Sequence, residues 1–132
     1  MKAPIMRNKR LLGIDGELNF LLNLENEILC ACPQCRFDKA TSFEDARKLI
    51  LLTTYDLAIL DIIKAPGVKL VDLIVSRNFP VLAISDQCIF ENELNHCEGL
   101  KVCGFLPKLK LHQSVSIINS VLELEYKPRW RR

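Results

Sequence analysis

The chain has 132 residues, 49% hydrophobic and 26% charged, with a formal net charge of +2. This is the balance of one soluble domain with enough apolar residues for a core, and it gives no strong overall field to draw nucleic acid or a membrane. No apolar run approaches the roughly 18 residues of a membrane-spanning helix, and MKAPIMRNKR has charge but no apolar signal core. The expected compartment is the cytoplasm, with the cysteines as reduced thiols.

In chain order, short apolar runs alternate with helix-period segments. Leu11–Ile14 reads as a strand ending at Asp15. From Leu18 to Leu29, the residues Leu18, Leu21, Leu22, Leu24, Ile28 and Leu29 fit one buried helix face. Arg36–Ala40 is weakly strand-like, and Ser42 is a good N-cap for a helix carrying Phe43, Ala46, Leu49 and Ile50. Leu57–Leu60, closed by Asp61, is a continuous apolar run suited to a strand covered on both faces. Pro66-Gly67 breaks the chain before a short helix over Val68–Val75. Val81–Ile84 is a further buried strand ending at Ser85, and the polar segment 88–97 reads as a weak helix. Lys101–Leu106 is the last strand, followed by Pro107 and Lys108, and a helix over Leu111–Leu124 closes the domain.

Five strands alternating with five helices predict an α/β, doubly wound (βα)5 three-layer sandwich of the flavodoxin-like kind, with a parallel sheet in the order 2-1-3-4-5. Residues 1–132 form a single domain, with a core over about 9–125 and basic tails at 1–8 and 126–132. Those tails hold Lys2, Arg7, Lys127, Arg129, Arg131 and Arg132, with Trp130 among them as a candidate partner contact.

In this topology ligands bind beyond the carboxyl ends of the strands, where the strand order reverses. Asp15 and Asp61 end the two strands that meet there, and Ser85 and Lys108 extend the rim. Two carboxylates with a hydroxyl and an ammonium suit a hard cation and a phosphoryl group. Taken singly, each residue is more simply explained as a turn former, a helix cap or a solvated charge, and it is their joint occurrence at four strand ends that points to a site.

The pieces LLGIDGELNF, SFEDARKLI, YDLAILDII, FPVLAIS and GFLPK resemble the receiver domain of two-component response regulators, over about residues 9 to 125. The resemblance implies that Asp61 accepts a phosphoryl group and that Lys108 and Ser85 grip it. It implies that Ser85 and Phe105 form the switch. It implies Mg2+ held by Asp15, Asp61 and the backbone carbonyl of Ile63. It further implies a sensor histidine kinase or phosphotransfer protein as donor, and a downstream protein on the face of the fourth helix, fifth strand and fifth helix, where two copies can also pair. Direct contact with nucleic acid or a membrane is not expected. Such a domain is not an enzyme, beyond catalysing its own phosphotransfer and dephosphorylation.

The family usually has two adjacent acids after strand one, whereas this chain has Asp15-Gly16-Glu17. The acid that normally touches the metal is therefore Gly16, which predicts weaker magnesium binding, with Glu17 as a further candidate ligand. Lys64 is a second cation close to Asp61. Gly16, together with a third helix clipped by the short stretch from Asp61 to Ser85, supports an alternative reading, a degenerate pseudo-receiver acting as an interaction module without phosphorylation.

A third reading concerns Cys30, Cys32 and Cys35 in CACPQC. CxxC spacing serves zinc sites and redox pairs. A redox pair normally sits at a helix N-terminus, but this motif follows the first helix, where the dipole has the wrong sign. A zinc ion would need a fourth ligand from elsewhere. The plain reading is three small residues in a turn at the end of the sheet opposite Asp61.

Overall fold

Every residue of Leu57–Asp61 and Val81–Ser85 is buried, as a strand covered on both faces requires. These are the third and fourth strands of a computed structural model that describes residues 5–86 and 99–126. The strands are β1 (Arg10–Ile14), β2 (Arg36–Ala40), β3 (Leu57–Asp61), β4 (Val81–Ser85) and β5 (Val102–Pro107). The helices are α1 (Leu18–Ala31), α2 (Phe43–Leu52), α3 (Val71–Arg77) and α4 (Ser114–Tyr126), with 3-10 turns at Gly67–Leu70 and Lys108–Gln113. All strand pairs are parallel, and the order is β2-β1-β3-β4-β5. The doubly wound sheet expected from the sequence is therefore present. The helix predicted over 88–97 lies outside the described residues.

Alternate residues of each strand feed two separate cores, because side chains leave a strand on opposite faces in turn. Leu11, Leu57, Ile59, Leu82 and Ile84 meet α1 and α4 through Leu21, Leu24, Ile28, Ile118 and Leu122. Leu12, Ala58, Leu60, Val81 and Ala83 meet α2 and α3 through Ala46, Ile50 and Ile74. Each fully buried Leu or Ile contributes about 1.5–3 kcal/mol, so both layers are needed to fix the sheet.

Helix ends follow local chemistry. Ser42 accepts a hydrogen bond from the Asp45 N–H at 3.2 Å, the capping interaction its sequence position predicts. Asn78 ends α3 with a left-handed φ of 57°. At Gly67 there is no room for a side chain, since a Cβ would stand 2.0 Å from the Asp61 carbonyl oxygen.

Three sequence expectations need correction. Leu18 and Leu22 are 49% and 43% exposed, and Phe20 takes the buried place instead. The helical periodicity around them spans more than half the helix circumference, so it did not single out the buried stripe. The last helix begins at Ser114, because Lys108–Gln113 winds as a 3-10 turn with a kink at Lys110. The packed region also starts earlier than residue 9. Met6 is fully buried in the α1–α4 core, and the segment is tied down by Asn8 N–H donating to the Gln34 carbonyl at 3.1 Å.

Candidate functional site

Ile14 and Leu60 are register partners, so Asp15 and Asp61 emerge side by side at the carboxyl ends of β1 and β3. Both are nearly inaccessible, 4% and 3% exposed. A buried carboxylate needs compensation, and each receives it locally. Asp61 Oδ1 accepts hydrogen bonds from the backbone N–H groups of Ile63 at 2.8 Å and Lys64 at 3.0 Å. Asp15 Oδ1 accepts from the Glu17 N–H at 2.8 Å. The β3–α3 loop can fold back on Asp61 because Gly67 has no side chain to block its carbonyl.

Lys108 follows the last residue of β5 and sends its ammonium to Asp15 Oδ2 at 2.6 Å. Glu17 Oε1 lies 3.6 Å from the same nitrogen, and the Phe20 ring centroid lies 5.0 Å away. Burial works against the charge on Lys108, but Asp15, Glu17 and Asp61 outweigh it and raise the ammonium above its ordinary range. Ser85 ends β4, is 4% exposed, and pairs in register with Pro107 immediately before Lys108. The fold thus brings together Asp15, Asp61, Ser85 and Lys108, the four strand-end residues singled out in the sequence. Phe105 lies two residues along β5 from Pro107 and is 44% exposed.

Two participants escape sequence reading. Phe20 carries no chemical label, and only its cation–π contact with Lys108 marks it. Asp86 pairs with Lys64 at 2.5 Å, so that cation spans the mouth between the β3 and β4 loops while its backbone N–H serves Asp61. An acid next to a strand-end serine was the available signal.

The donor set fits magnesium in kind: the two buried carboxylates of Asp15 and Asp61 offer hard oxygens, and magnesium typically uses one or two carboxylates with several waters. It is sparse in number. Among the described residues no three His, Cys, Asp or Glu side chains converge as a metal-binding group. Gly16 is exposed, and a Cβ there would meet only the Ala65 carbonyl oxygen at 3.7 Å, so space for a third carboxylate exists. Glu17 points to Lys108 and is 64% exposed at its side chain.

Among the described residues the CACPQC cysteines do not converge as such a group either. Cys30 is exposed in the last turn of α1, whereas Cys32 and Cys35 are buried in the core. Burial and the nearby Cys32 and Asp56 push the Cys35 thiol up to about 12, the opposite of a reactive thiolate. Cys103 bonds Glu125 at 3.1 Å, and no fourth ligand reaches the motif among the described residues. Cys97 and His96 lie outside those residues. No described helix is long and apolar enough to cross a membrane.

No family model matches this sequence, and no curated protein does. Solved structures do. The N-terminal domain of a response regulator receiver protein from Methanoculleus marisnigri shares 20% identity, with a TM-score of 0.65 over 92% of this chain and 98% of that one. The receiver domain of a Francisella response regulator gives 17% identity and a TM-score of 0.72 over 89% and 99%. A phosphorylated cyanobacterial phytochrome response regulator gives 17% identity and 0.69 over 89% and 93%. The fold of this chain is that of response regulator receiver domains.

Proposed function

We propose that the chain is a signalling receiver in which Asp61 takes a phosphoryl group from the phosphohistidine of a sensor kinase or phosphotransfer protein. The observation that carries this is the Asp61 carboxylate, buried beside Asp15 with Oδ1 already committed to two backbone N–H groups. That leaves Oδ2 as the attacking atom. The new bond joins Oδ2 to phosphorus while the phosphorus–nitrogen bond of the donor breaks, giving an acyl phosphate. Asp15, Asp61 and the Ile63 carbonyl would hold a magnesium ion, with Glu17 as a further ligand, and the ion supplies positive charge against the phosphoryl oxygens. Lys108 exchanges its Asp15 contact for a phosphoryl oxygen, and the Ser85 hydroxyl takes another.

Phosphorylation adds charge and three acceptors beside a two-state element. In this reading Ser85 moves toward the phosphoryl group and Phe105, now 44% exposed, turns into the space it leaves. The surface around β5 and α4 then changes its partner, a downstream protein or a second copy. Beryllofluoride with magnesium tests this reading. Backbone NMR shifts at Ser85 and Phe105 are expected, and unchanged spectra at saturating additive contradict it.

A second reading, a pseudo-receiver that binds its partner without phosphorylation, is favoured by one observation. Lys108 already neutralises Asp15, and Gly16 supplies no acid to replace it. Under that reading Asp61→Asn leaves partner affinity unchanged. A clear loss of affinity excludes it.

A further inference from the structure

We infer that Lys64 is a second phosphoryl-binding cation, held by Asp86 while Asp61 is bare and passed to the phosphoryl group once Asp61 carries one. This rests on the proposed phosphoryl transfer to Asp61, and it adds to that reading a residue and an exchange of ion-pair partners.

The main chain of Lys64 is fixed on the acceptor. Its backbone N–H donates to Asp61 Oδ1 at 3.0 Å, beside that of Ile63 at 2.8 Å. Its side chain is not fixed in the same way. A lysine ammonium is a point charge on a flexible four-carbon stem, free to turn among nearby acids. It bonds Asp86 Oδ2 at 2.5 Å, on the residue that follows Ser85. Asp86 foremost, then Asp61 and Glu17, raise the ammonium above its ordinary range. Lys64 thus lies in the field of the acceptor carboxylate while bonded to another acid. Its loop also passes over Gly16, since the Ala65 carbonyl oxygen is 3.7 Å from where a Cβ on that glycine would stand. Beside the place where an acid is missing, the chain carries a cation of its own.

Charge and burial decide which partner wins. The acids Asp15, Glu17, Asp61 and Asp86 outnumber Lys64 and Lys108, the cations they act on. A phosphoryl group on Asp61 brings further negative charge and acceptor oxygens to a site already short of positive charge. The Lys64–Asp86 pair is 52% and 38% exposed at its side chains, whereas the Lys108–Asp15 pair is 9% and 4% exposed. An exposed pair is weak and screened by salt, so Lys64 is the cation that moves at less cost. A charge-assisted bond to a phosphoryl oxygen beside nearly inaccessible Asp61 is stronger than the exposed bond it replaces. The exchange also unties the β3–α3 loop from Asp86, the neighbour of Ser85, whose hydroxyl moves in the same reading.

The test is the affinity for beryllofluoride with magnesium, titrated by NMR at about 150 mM salt, where distant charges are screened. The full chain is compared with Lys64→Gln, Asp86→Asn and the double variant. Lys64→Gln is expected to weaken binding about tenfold, the loss of one charge-assisted bond. Asp86→Asn is expected to tighten it about threefold, because the competing acid is gone. In the Lys64→Gln background, Asp86→Asn is expected to change nothing, since no ammonium remains to be released. A merely structural ion pair would move both single variants the same way, and through-space charge alone would make Asp86→Asn tighten binding in both backgrounds. Both side chains are solvent-accessible, so urea midpoints close to the parent's are expected throughout. The exchange is overturned if Lys64→Gln stays within about twofold of the parent, if Asp86→Asn fails to tighten binding, or if it tightens binding equally in both backgrounds. Each of these leaves Asp61 as acceptor, because the parent still binds. No binding by the parent at saturating additive overturns the acceptor reading and the exchange with it.

Discussion

The Lys108 ammonium stands 2.6 Å from Asp15 Oδ2, and the two side chains are only 9% and 4% exposed. This pair joins the end of β5 to the end of β1 across the intervening β3 and β4. Removing one member of a buried pair leaves the other charge without compensation. Lys108→Ala should therefore cost about 3 kcal/mol at neutral pH, read as a lower urea midpoint. Adding Asp15→Asn should recover at least about 1 kcal/mol of that loss. Strictly additive losses would mean that the two groups are not energetically coupled.

If Asp15 and Asp61 hold magnesium as proposed, Gly16 limits its affinity, and that limit can be lifted. A Cβ at this position makes only ordinary contact with the Ala65 carbonyl. Gly16→Asp should fold as the parent does and bind magnesium about tenfold more tightly by calorimetry, since carboxylate count tunes affinity at such sites. Unchanged affinity would place the metal elsewhere.

Gly67 is indispensable for a different reason. An added Cβ would stand 2.0 Å from the Asp61 carbonyl oxygen and 3.0 Å from its carbon, both backbone atoms. Gly67→Ala should cost about 3 kcal/mol, toward the upper end of the range for overpacking, and should disturb the NMR signals of Asp61 and Ile63. A urea midpoint within error of the parent would contradict the tight β3–α3 loop.

The Cys35 and Cys103 thiols, one buried and one partly buried, predict a loss of stability in alkali. Burial raises the Cys35 thiol from 9.0 to about 12, and burial with Glu125 raises Cys103 to about 11. In both cases the folded chain holds its proton more tightly than the unfolded chain. Their contribution is fully present below pH 9 and is lost as pH rises through the 11 to 12 range. Cys35→Ala should flatten that part of the stability profile, read by urea unfolding at successive pH values. At pH 8, iodoacetamide should modify exposed Cys30 well before Cys35. Peptide mapping that finds Cys35 modified as fast as Cys30 would contradict the buried arrangement.

The sheet was legible because β3 and β4 are continuous apolar runs, a pattern that only burial on both faces explains. The positions of Asp15, Asp61, Ser85 and Lys108 followed from topology, since parallel strands put all their carboxyl ends on one edge. The partners of these residues were not legible. Which carboxylate Lys108 would choose depends on the kinked 3-10 turn at Lys108–Gln113, and no periodicity announces that turn. Met6 was hidden for a similar reason. It is a lone apolar residue among charges, and only the turn that ties Asn8 to Gln34 carries it into the core. The cysteines drew attention by chemistry, whereas the sequence did not announce that Cys32 and Cys35 are buried in the core.

The central claim is that Asp61 accepts a phosphoryl group, and intact mass spectrometry after incubation with acetyl phosphate and magnesium tests it most directly. The account predicts one phosphoryl adduct on the parent chain, absent from Asp61→Asn and labile to hydroxylamine as an acyl phosphate is. No adduct on the parent, or an equal adduct on Asp61→Asn, would contradict it.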